Sequence, residues 1–380
     1  MACPETKREA AEEGNRDKGA SETDPKRPRR APFLNSFNYF RGIAITIIVA
    51  GHCFDLADWQ GNTMAEKLVF NLVASGGSCL FVFISGFLFH HVFFERFVYR
   101  RFLLSKIRNV LSPYLVMSIL PIAYFVWRRK PVYDGYFLPD GEGVLNTAVI
   151  PAIKYVLTGA VFFPYWYIPF IMLMFVLSPL HVRFIHMDLR PKSALLLLLF
   201  GVSLVIHRPV GNLNPIQSLV YYMPIYLLGM TCSIHKEWLY EKAKGKEMWG
   251  AMSVFGVLFI QTVLLHHTGN YNKRPFEITG IDWVLLQKAF LCPTLMVFLH
   301  RFEDRDWKAL SLLATASFGV YFLHAWVLMI VFGIKSGREL GVPFFVLWPV
   351  VSALVIGVSA GIAYLMKRLL KRHSRLVVGW

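Results

Sequence analysis

Ten long apolar runs, joined by short segments that hold most of the charge, leave this chain of 380 residues few architectures. A run of about 20 apolar residues can cross a bilayer as a helix, which satisfies its backbone polar groups internally where water cannot reach them. The runs are 37–56, 68–92, 110–127, 161–180, 193–206, 216–233, 249–265, 281–299, 310–332 and 344–366. Hydrophobic residues make up 55% of the chain and charged ones 17%, a balance foreign to soluble domains. The expected fold is all-α: a polytopic integral membrane protein with about ten transmembrane helices. Segment 144–157 is apolar too, but Pro151 and Lys154 make it read as an interfacial or re-entrant piece.

A net charge of +16 invites a nucleic-acid reading, but the distribution removes it. With the N-terminus cytoplasmic, the inner segments carry 20 Lys and Arg and the outer loops 9, the bias of the positive-inside rule. Arg128, Arg129 and Lys130 run against it. Both termini are therefore expected in the cytoplasm, with residues 1–33 a disordered tail, 34–366 the membrane domain and 367–380 a basic tail. The five cysteines, Cys3, Cys53, Cys79, Cys232 and Cys292, form no CxxC pair and read as packing residues. No His, Cys or carboxylate cluster suggests a metal site.

Within the first run, Arg41 and His52 stand eleven positions apart, about three helical turns, and so share one side of the helix roughly 16 Å apart. Ionisable groups at such depth are costly in lipid and turn toward protein or a wet cavity. Arg41 snorkelling to headgroups beside a hydrogen-bonded packing histidine fits the spacing as well as a functional pair does. His324, in the ninth run, falls at the same depth as His52, about 21–22 Å from the inner boundary.

Other stretches keep two readings open. In SGGSCLFVFISGF, Gly76, Gly77 and Gly86 either let helices approach closely, or a break at Ser85–Gly86 frees backbone to line a cavity. The basic segment with Arg101, Lys106 and Arg108 is ordinary topogenic charge or a docking surface for phosphates. Tyr165, Trp166 and Tyr167 form an interfacial aromatic belt or stack on a sugar ring.

Taken together in order, these motifs resemble the integral-membrane acyltransferase family 3, sugar O-acetylases included. FRGIAITIIVAGH is similar to its Arg, ten residues, His arrangement, carried by Arg41 and His52. ISGF resembles its second-helix motif at Ser85, Gly86 and Phe87. SKIRNVLSPYL resembles its basic segment before Pro113 and Tyr114. SFGVYFLHAW resembles its late motif at Ser317, Tyr321 and His324, and YWYIP its mid-chain signature. Asn109 departs from the pattern, since many members carry a further basic residue there.

The resemblance implies transfer of an acyl group, usually acetyl, from cytoplasmic acyl-CoA to a glycan hydroxyl. No permanently bound cofactor is implied; acetyl-CoA serves as co-substrate. Such chemistry needs a base for the hydroxyl proton and a donor for the developing oxyanion. Histidine suits the first task, assigned to His52, with Asp55 one turn on as an orienting carboxylate or a plain helix-end charge. Arg41 lies where the donor enters and cannot act as base. Arg101, Lys106, Arg108 and Ser85 are the acyl-CoA candidates; Trp166, Tyr321 and His324 are those for the acceptor. The implied setting is the inner or plasma membrane, with polysaccharide-assembly proteins as partners. A transporter or flippase in which Arg41 and His52 handle an anion or relay protons is the competing class.

Overall fold

The computed structural model describes residues 33–380 apart from 129–135, 138–140, 278, 336–338 and 340. Residues 1–32 of the expected tail, and Arg129 and Lys130 of the basic trio, lie outside the described residues. Helices account for 78% of the structure. In order they are α1 (Asn35–His52), α2 (Met64–Val73), α3 (Ser78–Leu88), α4 (Tyr99–Lys106), α5 (Ser112–Arg128), α6 (Ile150–Thr158), α7 (Tyr167–Val176) and α8 (Ser178–His186). There follow α9 (Leu189–Ile206), α10 (Pro215–Ile234), α11 (Lys236–Ala243), α12 (Glu247–Phe259), α13 (Trp283–His300), α14 (Lys308–Lys335), α15 (Phe344–Leu370) and α16 (Ser374–Val377). Two short strands, β1 (Arg208–Pro209) and β2 (Asn272–Lys273), pair in parallel between the loops after α9 and α12.

Among the described residues, seven helical stretches, several of them joining consecutive elements, are long and apolar enough to cross a membrane. They are Met64–Arg96, Tyr99–Arg128, Leu189–Ile206, Glu247–Leu264, Trp283–His300, Lys308–Lys335 and Phe344–Val377; there are eight if α7 and α8, bent by 57° at their junction, count as one span. The bend falls at Leu177, just before Ser178–Pro179. Proline disfavours helical geometry in the residue before it and removes a backbone donor. Helices α1 and α10, of 18 and 20 residues, have the length but carry more polar side chains than the seven. Both are enclosed by neighbours: α10 lies along α3, while α1 lies along α14 and against α13 and α15. Polar side chains that would be costly against lipid are thus spent on the interior.

Local sequence signals start several elements. Thr63 accepts from the Glu66 amide at 3.2 Å while Glu66 accepts from the Asn62 amide at 3.1 Å, a capping box one residue out of register. Asn214 and Asp282 cap α10 and α13 through their side chains. Leu34 gives α1 no such cap. Instead Glu303, 268 residues away, accepts from the backbone amides of Asn35 (2.6 Å) and Ser36 (3.0 Å). A carboxylate there satisfies orphan donors and faces the positive helix end. Glu303→Ala is expected to lower stability by about 1–2 kcal/mol, read as a drop in thermal midpoint in detergent; Glu303→Gln keeps part of it.

The break in the second span lies earlier than Ser85–Gly86. Gly76, with φ +66°, separates α2 from α3, and a π-turn at Phe89–Phe93 follows. Ser85 and Gly86 are inside α3. Gly86 makes room for α10: a Cβ there would sit 1.9 Å from the Tyr226 carbonyl oxygen, and one on Gly229 would sit 2.2 Å from that of Phe83. Segment 144–157 forms a short apolar helix, Leu145–Thr158. Beyond residue 366, α15 continues to Leu370 and the chain folds back through α16, burying Val378 and setting Trp380 beneath the Lys367 ammonium at 4.1 Å. The apolar Val377, Val378 and Trp380 explain why this basic stretch packs.

Candidate active site

Helices α1 and α14 carry the centre of the site. They run parallel, with Gly42 against Leu310 and, further along, His52 beside His324. The Arg41 guanidinium donates to Ser317 Oγ at 3.1 Å, and the His52 and His324 rings stand 5.6 Å apart, nearly parallel at 28°. The eleven-residue spacing on α1 therefore meets a seven-residue spacing on α14. His324 is fully buried, and its Nδ1 lies 2.9 Å from the Val320 carbonyl. A carbonyl only accepts, so Nδ1 holds the hydrogen and Nε2 presents a lone pair. That Nε2 has no hydrogen-bond partner among the described residues.

His52 is half-buried because it faces a cavity of about 220 Å³. Trp166, Tyr167, Ser317 and Tyr321 share the lining, together with Arg208 and Asn270. The loop holding Trp166 is tied to α14 at two points. Tyr321 Oη donates to the Pro164 carbonyl at 2.5 Å, and Tyr165 Oη to that of Phe322 at 3.0 Å. Phe163 on the same loop lies 6.2 Å from the His52 ring. Aromatic walls and convergent polar groups make this the default binding-site geometry.

The remaining sequence-derived candidates fall in three places. Asp55 is exposed on the 3₁₀ turn after α1 and lines a smaller pocket of about 130 Å³ that His52 and Phe163 also border. No hydrogen bond joins it to His52 among the described residues. Ser85 is half-buried on α3. Arg101 and Arg108 are exposed, whereas the Lys106 ammonium is enclosed by Phe93, Phe102 and Phe175 at 4.2, 5.1 and 4.8 Å. The cations of this basic segment and the His52 cavity are thus separate features. Four free cysteines are buried, and no metal-ligating cluster exists among the described residues.

Sequence reasoning missed Arg208, Asn212 and Asn270. Arg208 follows α9 at His207, whose φ of +59° and ψ of 175° turn the chain sharply inward. His207 is held by Gly280, whose carbonyl lies 2.7 Å from Nε2, and by Thr279, whose hydroxyl lies 3.2 Å from Nδ1. Burial lowers this imidazole's proton affinity, against the pull of the Gly280 carbonyl. Pairing of β1 with β2 then fixes Arg208. Asn270 arrives on the neighbouring loop, docked where Asn71 donates to Thr262 and the His267 carbonyl and accepts from the Gly269 amide. The Gly76 amide donates to Asn270 Oδ1 at 2.8 Å. The available signal was the position of Arg208 at the very end of an apolar run, close to two asparagines.

A family model described as an acyltransferase domain matches residues 34–364, nearly the whole membrane domain. The chain belongs to acyltransferase family 3. Neither a curated protein nor a solved structure matches it. The match reaches from the start of α1 into α15, so every cavity residue of this membrane acyltransferase lies inside it.

Proposed function

We propose that this acyltransferase moves an acyl group, in the simplest case acetyl, from cytoplasmic acyl-CoA to a hydroxyl of a cell-envelope or exported polysaccharide. The observation that carries the reading is one cavity bounded by the His52 imidazole, the Trp166 face and Ser317, whose hydroxyl is held by Arg41. His52 takes the acceptor proton as the hydroxyl oxygen attacks the thioester carbonyl. The tetrahedral adduct then expels the CoA thiolate, which recovers that proton. His324 positions the acceptor or the His52 ring through its free Nε2, and Tyr321 fixes the Trp166 loop. Arg41 guides the thioester end of the donor, while Arg101 and Arg108 meet CoA phosphates; Lys106 and Ser85 are the other candidates for holding the donor. Asp55 orients His52 only if the turn after α1 closes on it.

Ten crossings follow if α1, α10 and the bent pair α7–α8 join the seven apolar helices, and an even number leaves both ends cytoplasmic in the inner or plasma membrane. Polysaccharide-assembly proteins would deliver the acceptor. Membranes containing the protein are expected to move radiolabel from acetyl-CoA onto envelope glycan, as base-labile ester. Glycan that crosses the membrane without gaining label would replace the enzyme with a transporter.

A further inference from the structure

Arg208 is only 7% exposed, yet it lines the cavity that His52 faces. Among the described residues no carboxylate oxygen lies within 4 Å of it; the ion pairs there join other cations. The buried Asp282 carboxylate feels the Arg208 charge but forms no ion pair with it, accepting instead from Tyr221 Oη and from the Leu285 amide, each at 2.8 Å. A buried guanidinium with no carboxylate in contact is unfavourable unless something else brings negative charge to it.

The group is nonetheless held still. Its Nη2 donates to Asn212 Oδ1 at 2.9 Å, and its carbon rests 5.1 Å from the Trp166 ring centre. Its Nε is buried and has no hydrogen-bond partner among the described residues. An unfilled donor on a fixed planar fork suits an oxyanion of a carboxylate or phosphate. An oxyanion that exists only in the transition state would leave this charge unpaired for the rest of the cycle. A charge carried by the bound acceptor would not.

We infer that Arg208, with Asn212 and Asn270 beside it and Trp166 beneath it, binds an anionic group on the acceptor glycan, a carboxylate or a phosphate ester, and so selects acidic acceptors. The inference rests on the acyl-transfer reading for the word acceptor, but anion binding can be read without catalysis. Three oligosaccharides that differ only in their terminal residue serve as probes: glucuronic acid, glucose 6-phosphate and glucose. Binding to the full-length protein in detergent is followed by tryptophan fluorescence, and transfer by acetyl-CoA turnover.

At least one charged probe is expected to bind about 10-fold or more tightly than the glucose probe, and which one does so identifies the anion. Arg208→Gln should collapse that ratio toward one, while Arg208→Lys, which keeps the charge and loses the fork, should retain part of it. Equal binding of all three probes by the wild-type protein overturns the inference, whatever the variants do. So does a charged-to-neutral ratio that survives Arg208→Gln. A fall in kcat equal for charged and neutral probes, with their KM ratio unchanged, also overturns it and assigns Arg208 to the transition state. Absence of acetyl transfer to any probe, with the binding preference intact, instead overturns the reaction and leaves the anion subsite standing.

Discussion

A His52→Ala protein is expected to insert, purify and melt like the wild type while transferring acyl groups about 10²–10⁴-fold more slowly, the span that removal of a general base produces. The reason for separating the two effects is local. His52 is half-buried at the cavity wall, and its ring contacts are to His324 and Phe163 at 5.6 and 6.2 Å rather than to a packed core. Truncating it enlarges an existing space and orphans no core hydrogen bond. Measured turnover of acetyl-CoA with acceptor, beside an unchanged thermal midpoint, checks the claim; near wild-type turnover would remove the imidazole from the reaction.

Gly86→Ala should show the opposite pattern. Its added methyl would meet the Tyr226 carbonyl oxygen at 1.9 Å, and that obstacle is backbone, so α3 and α10 must move apart. Overpacking of this kind costs about 1–3 kcal/mol, and more where the neighbour cannot yield. Gly229→Ala obstructs the same crossing from the other helix, against the Phe83 carbonyl at 2.2 Å. Once the helices have separated for one methyl, part of the strain from the second is already relieved. The double variant should therefore lose less stability than the two single losses added together. Midpoints from a detergent melt of the three variants decide it, and strict additivity would mean that the two glycines do not serve one contact.

That Arg41 and His52 lie on one side of α1, where both meet α14, was legible because helix geometry alone brings positions eleven apart to one side. The meeting of His52 with His324 was legible too, since two helices of the same direction place equal depths together. Arg208 was not. A loop cation counts toward topology whether its side chain meets water or turns inward, and the inward turn depends on His207, Thr279 and Gly280, which are far apart in sequence. Span number was hard for a related reason. Apolarity marks helices that face lipid, whereas α1 and α10, buried by their neighbours, carry polar residues toward the interior. The early break at Gly76 escaped notice because the glycine that carries it needs a left-handed backbone, while Gly86 needs only proximity to another helix.

Helices α1 and α14 are fastened near both extremities. At one, Tyr39 Oη donates to the Arg305 carbonyl and accepts from the Trp307 amide at 3.2 Å; at the other, Lys335 pairs with Asp58 and donates to the Leu56 carbonyl at 3.0 Å. Two rods clamped at each end cannot slide past one another, so the gap between the imidazoles is set by the scaffold and not by whatever molecule enters. The loop ahead of α7, tied to α14 through Tyr165 and Tyr321, shares that fixed frame, so what the cavity accepts is decided by the side chains on its wall and not by a shift of the two helices.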